Sequence, residues 1–406
     1  MQIINGSVNA AKGFSSSGVY AGLKKSKKDM ALIYSSSPCT VAGTFTTNKV
    51  KAAPVIYDRN IVKSGNKVRA IVVNSKNANA CTGKRGYEDC LESAAALASE
   101  LRVKKEECLV ASTGVIGVPL PMDTIKKGIK LLVKDLSSSQ ASASDAADAI
   151  CTTDTCRKEV AVSFTIDGKT CHMGGIAKGA GMIHPNMATT LSFITTDVLI
   201  EKNTLQTLLG STIEDTFNMI SVDGDTSTND TCLVLANGEA GNEILTSTSP
   251  SLKVFKEALD YVLSYLAKAL VKDGEGATRF MEVKVEGAKS KEDARLLARS
   301  IVSSTLFKAA LFGSDANWGR VLCAMGYSGA SFDPEKVELR FSSERGVIKV
   351  LEDGMPIRFS EEKAKAILEE KEVTILVQCN DGDASATAWG CDLTYDYVRI
   401  NGDYRS

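Results

Sequence analysis

The chain has 406 residues, with 48 Lys and Arg against 49 Asp and Glu, and its net charge of −1 excludes the strongly basic surface typical of nucleic-acid or anionic-membrane binding. Hydrophobic residues make up 44% and charged residues 24%, which is typical of a soluble globular protein with one large or two modest domains. Only two histidines are present, so a multi-histidine zinc site or a relay of imidazoles is hard to build.

Targeting signals and disulfides are also not expected. The N-terminal stretch lacks a basic segment followed by an apolar one, and no apolar run approaches the roughly 18 residues that cross a membrane. The eleven cysteines are an odd number without a CxxC pair, which favours reduced thiols over disulfides or a metal-ligand set. We therefore expect a cytoplasmic protein that needs no metal and no other cofactor.

Short β-rich runs alternate with longer helical segments, which predicts a mixed α/β architecture. In chain order, the first half has strand patterns at Lys67–Asn74, Cys108–Ser112, Val160–Ile166 and Thr190–Thr195, and helix patterns at Tyr87–Leu101 and Thr124–Lys134. The second half has strand patterns at Cys232–Ala236, Phe280–Glu286, Val337–Phe341, Gly346–Leu351, Val373–Cys379 and Ser385–Asp392, and helix patterns at Leu205–Phe217, Leu252–Val271, Lys291–Leu311 and Glu361–Glu370. The Ser/Ala tract Ser137–Ala147 fits either a linker or a small-residue surface helix, so no domain boundary is predicted there.

The most unusual stretch is Gly174–Asp197, GGIAKGAGMIHPNMATTLSFITTD. It begins as a flexible, glycine-rich run that contains Lys178, passes through His184 and enters a Thr-rich strand. From composition alone it is either a loop before an ordinary buried strand or a functional segment. A phosphate-binding P-loop is excluded, because Lys178 is followed by Gly179 rather than by a hydroxyl residue.

This stretch closely resembles the processing segment of the ornithine acetyltransferase family of arginine biosynthesis, also called the glutamate N-acetyltransferase family. The resemblance extends over nearly the whole chain, because further motifs match in the same order. These are GTFTTN (43–48), NANACTG (77–83), STGVIG (112–117), TTDT (152–155), VDGDTSTND (222–230), DGEGATR (273–279), GSDANWGR (313–320) and NGDYRS (401–406). A collinear set of this length is more specific than any single motif.

The resemblance implies a self-cleaving precursor. In the family the chain breaks between an Ala and a Thr, which match Ala188 and Thr189 here. The products would be an α chain of residues 1–188 and a β chain of residues 189–406, which form one intertwined unit. The implied fold is a layered α/β/β/α sandwich of the self-processing N-terminal-nucleophile type with strands from both chains, and the implied assembly is an α2β2 heterotetramer.

Thr189 would begin the β chain and act as the nucleophile. A threonine hydroxyl needs an adjacent base, and cleavage would create a free α-amine on the same residue, with an unperturbed pKa of about 7.7–8.0. Nucleophile and base then belong to one residue, so no histidine is needed. By resemblance, Thr113 and Gly114 form the oxyanion hole with a hydroxyl and a backbone N–H.

The resemblance also implies substrate contacts. Together with Thr189, the residues that match the family's substrate-binding positions are Thr152, Lys178, Glu275, Asn401 and Ser406. Lys178 suits a substrate carboxylate, and its charge would favour the neutral form of the Thr189 amine. Glu275 suits a substrate ammonium group.

Two positions depart from the family pattern, and two histidines need an explanation. Lys76 stands where the family usually has glycine, so the loop around it is not certain to have the conformation typical of the family. Ser406 stands where threonine is common, but it retains the hydroxyl. We expect both His172 and His184 to have structural rather than catalytic roles.

The implied reaction is ping-pong acetyl transfer from N2-acetylornithine to L-glutamate through an acetyl-Thr189 ester. Acetyl-CoA stays open as a further donor. Two other hypotheses remain: a self-processing amidase or aminopeptidase that releases acyl groups to water, and a non-enzymatic amino-acid-binding protein on the same scaffold. Release of acetate would indicate the first, and an uncleaved chain would favour the second.

Overall fold

The computed structural model of the chain describes residues 1–184 and 190–403, and within these ranges the chain forms a nine-stranded and a seven-stranded β-sheet with helices packed against them. In chain order the strands are β1 (Gln2–Ile4), β2 (Phe14–Val19), β3 (Met30–Phe45), β4 (Val68–Asn77), β5 (Cys108–Val115), β6 (Lys158–Ile166), β7 (Lys169–Lys178), β8 (Leu191–Thr196), β9 (Ile220–Ser221), β10 (Thr231–Ala236), β11 (Phe280–Ala288), β12 (Glu338–Ser343), β13 (Gly346–Glu352), β14 (Met355–Pro356), β15 (Glu372–Gln378) and β16 (Ala384–Cys391).

The helices connect these strands and cover the sheets. In the same part of the chain they are α1 (Ala53–Ser64), α2 (Gly83–Leu101), α3 (Met122–Lys134), α4 (Gln140–Ile150), α5 (Lys202–Asp215), α6 (Leu252–Lys272), α7 (Lys291–Ser303), α8 (Thr305–Phe312), α9 (Trp318–Gly326), α10 (Glu361–Leu368) and α11 (Tyr395–Asp403). Short 3-10 turns occur at Lys105–Glu107, Phe217–Met219 and Pro334–Lys336.

Strand order shows that the two parts of the chain are interleaved. The larger sheet runs β1-β6-β7-β8-β10-β3-β4-β5, with β2 paired to β3, and the smaller sheet runs β14-β13-β12-β15-β11-β16-β9. Strand β8 pairs antiparallel with β7 and parallel with β10. The larger sheet therefore contains strands from both sides of residues 185–189. The predicted mixed α/β class is confirmed, including the contribution of strands from both parts of the chain.

Two hydrophobic cores lie on opposite faces of the larger sheet. Along β10, Cys232 and Val234 enter one core, whereas Leu233 and Leu235 enter the other, as the period of two in a strand requires. The first core extends to the smaller sheet, because α6 packs on β6 and β7 and also on β16. The second core is covered by α4, which packs on β2 and β3.

The glycine-rich run before Lys178 is not a flexible loop, so that prediction is wrong. Residues 174–178 belong to strand β7 and are buried. A Cβ atom on Gly174 would lie 1.9 Å from the carbonyl oxygen of Ser7, and one on Gly175 would lie 3.0 Å from a methyl group of Leu266. The glycines therefore allow close packing of backbone and helix against the strand rather than conformational freedom.

Three helical segments also differ from the predictions. The Ser/Ala tract forms α4, which is buried rather than superficial because its alanines pack against the sheet. The long helix predicted at Lys291–Leu311 is two helices, α7 and α8, separated by Ser304, whose hydroxyl accepts a hydrogen bond from the backbone N–H of Phe307. The motif at 313–320, where no helix is predicted, leads into α9.

Two further properties can be read from the same ranges. None of the helices in residues 1–184 and 190–403 has the length and hydrophobicity that a membrane-spanning segment requires. All eleven cysteines lie in these ranges as free thiols, and Cys39, Cys90, Cys232 and Cys391 are among the buried ones.

A buried group of three charged side chains connects distant parts of the fold. The ammonium group of Lys158, at the start of β6, lies 2.7 Å from the carboxylate of Asp154 and 2.5 Å from that of Asp273. The Lys158 side chain is only 1% exposed, and neither carboxylate exceeds 5%. Desolvation of three charges is costly, so this group is stable only because each charge is paired and hydrogen-bonded.

We expect Lys158→Met to lower the free energy of unfolding by about 3–5 kcal/mol, because it leaves two buried carboxylates without their cation. Arg157→Met is the matched control, since the neighbouring Arg157 is 45% exposed and pairs with Asp148 and Glu159 near the surface. Loss of such exposed pairs costs about 1 kcal/mol or less. Thermal unfolding midpoints at matched protein concentration test this, and equal shifts for the two variants would contradict it.

Candidate functional site

Six residues that the family resemblance assigns to the active site line one open pocket. They come from the end of β5, the segment after α4, the end of β7, the turn after α6, and α11, and they are Thr113, Gly114, Thr152, Lys178, Glu275 and Asn401. The remaining three, Ala188, Thr189 and Ser406, lie outside the described residues. Segments that are far apart in the sequence therefore converge on a single cavity.

Lys178 provides a positive charge inside this pocket. The residue is 8% exposed, and its ammonium group donates hydrogen bonds to the hydroxyl oxygens of Thr152, at 2.9 Å, and Thr113, at 3.3 Å. Within residues 1–184 and 190–403, no carboxylate lies within 4.0 Å of this ammonium group. A partly buried cation without an ion-pair partner is suited to bind the carboxylate of a ligand.

Glu275 provides a negative charge in the same pocket. Its carboxylate accepts a hydrogen bond of 2.8 Å from the side-chain amide of Asn401, and its backbone N–H donates to the carbonyl of Ala180 at 2.8 Å. A Cβ atom on Gly181 would lie 2.4 Å from Oε2 of Glu275. Glycine at position 181 is therefore required for the carboxylate to approach the backbone this closely.

Thr113 and Gly114 lie near the end of the parallel pair of β4 and β5. The register pairs Ser75 with Thr113 and Lys76 with Gly114. Gly114 has φ of 126°, and a Cβ atom there would lie 2.2 Å from the backbone carbonyl of Lys76, so only glycine fits. Lys76 itself continues the regular strand with an exposed side chain, which answers the question that its departure from the family pattern raised.

Asn229 fixes the backbone around this strand end. Its side-chain amide donates to the carbonyl of Ala78 at 2.6 Å and to that of Ser112 at 2.8 Å. Asn229 also lines the pocket, together with Ser227 and Thr228. Sequence reasoning matched the motif that contains these residues but gave them no role, because a polar loop does not reveal which backbone groups its amides will reach.

Asp230 is a second residue that the sequence analysis missed. Its Oδ1 accepts a hydrogen bond of 2.7 Å from the backbone N–H of Thr190, and its Oδ2 is buried without a partner among the described residues. Burial raises the pKa of this carboxyl from its usual value of 3.8 to about 8, although the N–H of Thr190 opposes the shift. Thr190 and Asp230 line the inner end of the cavity beside Thr113 and Lys178.

The backbone of Thr190 is also unusual. Its φ is 87°, a value that a β-branched residue rarely adopts. The residue is 7% exposed, its carbonyl accepts from the N–H of Thr231 at 2.8 Å, and its own N–H is held by Asp230. Strained backbone of this kind persists only where surrounding contacts fix it, and such positions are frequent in functional sites.

The carboxylate of Asp154 is buried and fixes backbone segments next to the pocket. It accepts hydrogen bonds from the backbone N–H groups of Thr152, at 2.9 Å, and Gly179, at 2.7 Å. Burial alone would raise its pKa, but the positive charges of Lys178 and Lys158 hold that pKa below the usual range. Asp154 is therefore ionised and fixes the segments that precede and follow it.

The contacts of the two histidines fit structural roles. His184 places Nδ1 3.2 Å from the hydroxyl of Ser221 and 3.3 Å from that of Ser303, and burial together with the charge of Arg299 lowers its pKa to about 4. His172 bonds through Nδ1 to the buried carboxylate of Asp197 at 2.9 Å. Neither residue is among those that line the pocket.

No group of three or more His, Cys, Asp or Glu side chains in residues 1–184 and 190–403 is arranged to hold a metal ion. The groups that converge on the pocket are instead hydroxyls, one ammonium group, two amides and one carboxylate. Such a set recognises a small zwitterionic or doubly charged molecule, and its hydroxyl and backbone groups can stabilise an oxyanion.

Similarity to known proteins agrees with the arrangement of these residues. A model of the ArgJ family matches residues 15–406. The chain is 53% identical over 406 residues to the arginine biosynthesis bifunctional protein ArgJ of Caldanaerobacter subterraneus subsp. tengcongensis, with 100% of both chains aligned. It is 49% identical over 405 residues to the protein of the same name from Staphylococcus aureus strain Mu50, covering 100% of this chain and 96% of that protein.

A solved structure gives a similar match. The crystal structure of arginine biosynthesis bifunctional protein ArgJ from Bacillus halodurans is 46% identical with a TM-score of 0.50, and the match covers 52% of this chain and 98% of that chain. The family model covers nearly the entire sequence, and relatives about half identical align along its full length. The chain therefore belongs to the ArgJ family.

Proposed function

We propose that this chain is a glutamate N-acetyltransferase (ornithine acetyltransferase) of arginine biosynthesis, which moves the acetyl group of N2-acetylornithine to L-glutamate. The observation that carries this proposal is the pocket that presents the unpaired ammonium group of Lys178 together with the carboxylate of Glu275. These charges complement the α-carboxylate that both substrates share and the ammonium group of the ornithine side chain. The pathway is supported by membership of the ArgJ family.

Self-cleavage between Ala188 and Thr189 is part of the proposal. It would give chains of residues 1–188 and 189–406. Support comes from the Bacillus halodurans chain, 98% of which matches only 52% of this one, so that chain is about half as long. Strands β7 and β8 form an antiparallel pair that extends from Met173 opposite Thr196 to Lys178 opposite Leu191. A chain break between the two strands therefore leaves their hydrogen bonds intact.

In the first half-reaction, the hydroxyl oxygen of Thr189 attacks the acetyl carbonyl carbon of N2-acetylornithine while the α-amine of Thr189 takes the hydroxyl proton. The Thr113 hydroxyl and the Gly114 N–H stabilise the tetrahedral oxyanion. The carbon–nitrogen bond then breaks, and the departing nitrogen receives the proton held by the α-amine. Free ornithine leaves, and an acetyl ester remains on Thr189.

In the second half-reaction, glutamate occupies the same pocket and its α-amine attacks the ester carbonyl. The carbon–oxygen bond breaks, the proton returns to the Thr189 hydroxyl, and N-acetylglutamate leaves. Thr152, Lys178, Glu275, Asn401 and Ser406 would contact the substrates in both steps. Acetyl-CoA could replace N2-acetylornithine as donor, which remains a proposal, as does assembly of the two chains into an α2β2 heterotetramer.

We expect Lys178→Met to lower kcat/KM for both N2-acetylornithine and glutamate by about ten- to a hundredfold, because it removes a charge-assisted hydrogen bond worth about 1.5–3 kcal/mol. Lys169→Met is the matched control, since Lys169 lies at the other end of β7 and is exposed. The assay follows acetylglutamate and acetate together, and mass spectrometry checks that both variants are cleaved.

An unchanged kcat/KM for Lys178→Met would contradict the assigned role of this cation in substrate binding. Acetate as the main product of the unsubstituted protein, in the presence of glutamate, would contradict the transferase proposal itself. That second outcome would favour the amidase hypothesis, because a hydrolase releases the acyl group to water.

The buried carboxyl of Asp230 predicts a pH dependence of stability. Because folding raises its pKa from 3.8 to about 8, the folded state binds more protons than the unfolded state in this window, so stability falls as pH rises through it. We therefore compare the thermal unfolding midpoints of the unsubstituted protein and Asp230→Asn as a function of pH. The midpoint of the unsubstituted protein should decrease relative to that of the variant as the pH is raised from 3.8 to about 8, and the difference should stay constant at higher pH. At about 1.4 kcal/mol per pKa unit, the upper limit of this change is about 6 kcal/mol.

Asp230→Asn keeps an acceptor for the N–H of Thr190 and removes the ionisation, so it isolates this effect from other titrating groups. A difference that rises with pH would contradict the assignment, because that is the behaviour of a carboxylate stabilised in its ionised form. A difference that does not change with pH would contradict it equally.

A further inference from the structure

A second cavity lies behind the loop that borders the active-site pocket. It is a groove of about 610 Å³ between α1, α5 and the last residues of β3, and it shares no lining residue with the pocket. We call it the α1–α5 groove. Its size falls within the range of small-molecule sites, which is about 300–1,000 Å³.

The rim of the α1–α5 groove is strongly cationic. Lys51, Arg59, Lys63 and Lys202 line it, and no acidic side chain of the described residues does. None of these four forms an ion pair within 4.0 Å in residues 1–184 and 190–403, and Lys51 donates only to the carbonyl of Asn48. Four cations from three segments repel one another unless an anion lies between them, so the groove has a positive potential suited to an anionic ligand.

The groove has apolar surface beside polar residues such as Thr46, Asn203 and Gln206. Phe45 and Val62 provide apolar surface, and the hydroxyl oxygen of Thr44 is buried without a hydrogen-bond partner in the described part of the chain. Gln206 cannot supply that partner readily, because its amide already bonds the N–H and the carbonyl of Gly43, each at 3.1 Å. The Thr44 hydroxyl is enclosed by the protein rather than exposed to the groove, so the groove offers a ligand its apolar surface and its cationic rim.

We propose that the α1–α5 groove is a binding site for a small organic phosphate. The doubly charged phosphate would lie among the ammonium and guanidinium groups, where Arg59 can form paired hydrogen bonds and the lysines act as point charges. The apolar body of the ligand would cover Phe45 and Val62. This site is separate from the acetyl-transfer reaction and does not depend on it.

The groove is directly connected to the active-site loop. Thr46, which lines the groove, donates its N–H to the carbonyl of Asp230 at 2.9 Å and its hydroxyl to the carbonyl of Ser227 at 2.7 Å. Ser227 and Asp230 line the inner end of the active-site cavity. A ligand in the groove would therefore contact the strand that holds this loop in place.

Isothermal titration of the purified protein with phenyl phosphate tests the proposal, with inorganic phosphate and phenol as partial ligands. We expect phenyl phosphate to bind more tightly than either partial ligand. The double variant Arg59→Gln/Lys202→Gln should weaken its binding at least about tenfold, because two charge-assisted contacts are lost. Lys127→Gln/Lys130→Gln is the matched control, since both residues are exposed cations on α3, and its affinity should stay within about twofold.

Three results would overturn the proposal. Equal weakening by the two double variants would mean that phosphate binds to general surface charge. Phenyl phosphate binding no better than inorganic phosphate would exclude the apolar surface as part of the site. Absence of binding, together with dissociation of an oligomer in the Arg59→Gln/Lys202→Gln variant by sedimentation, would show that a second copy of the chain covers the groove instead. Unfolding midpoints verify that each variant is folded.

Discussion

The ammonium group of Lys158 lies between the carboxylates of Asp154 and Asp273, and the geometry of the candidate active-site pocket depends on this buried contact. Asp154 accepts hydrogen bonds from the backbone N–H groups of Thr152, whose hydroxyl contacts Lys178, and of Gly179, which follows Lys178 in sequence. Asp273 ends helix α6 just before Glu275, so the same cation fixes the turn that carries the opposite charge of the pocket. In the proposed function, the two charges that would bind substrate therefore depend on a third, buried charge, that of Lys158, which does not line the pocket.

Hydrogen bonds made by side chains of the 227–230 loop also fix the backbone around the pocket. Asn229 and Asp230 use their side chains to bind main-chain groups of three separate segments, and Thr46 binds the carbonyl of Asp230 from behind. The buried carboxyl of Asp230, whose pKa is raised by burial, accepts the N–H of Thr190 and so holds that residue at its φ of 87°. Position 114 accepts only glycine because its φ is positive and the backbone of Lys76 approaches it closely, whereas a side chain at position 181 would displace the Glu275 carboxylate from its observed place.

Much of the fold was predictable from local patterns, and the failures have physical causes. Strand β10 and the striped helix α6 were correctly located, because β10 is a short apolar run that is buried on both faces and the buried residues of α6 recur with a period of 3.6. The glycines of β7 looked like a flexible loop, because the sequence does not show that Ser7 and Leu266 pack against them. The alanines of α4 looked superficial, since small residues carry little hydrophobic signal although they allow a helix to lie close to a sheet.

The site was predictable as a set of residues through the family resemblance, but its supporting contacts were not. Six assigned residues line one pocket, whereas Asp154, Lys158, Asp230 and Asp273 were not identified. The bond between Lys158 and Asp273 spans 115 positions of sequence, and no local pattern encodes a pairing of that range. Asp230 lies within a matched motif, yet its raised pKa follows from complete burial, which only the folded chain determines.

The central claim is that the β-chain terminus created at Thr189 carries the acetyl group between substrates. Intact-mass spectrometry and N-terminal sequencing of the protein after incubation with N2-acetylornithine, without glutamate, test it most directly. The account predicts two chains, the second beginning at Thr189 and heavier by one acetyl group, which is lost when glutamate is added. A single uncleaved chain that still transfers acetyl groups, or an acetyl group on any residue other than Thr189, would contradict it.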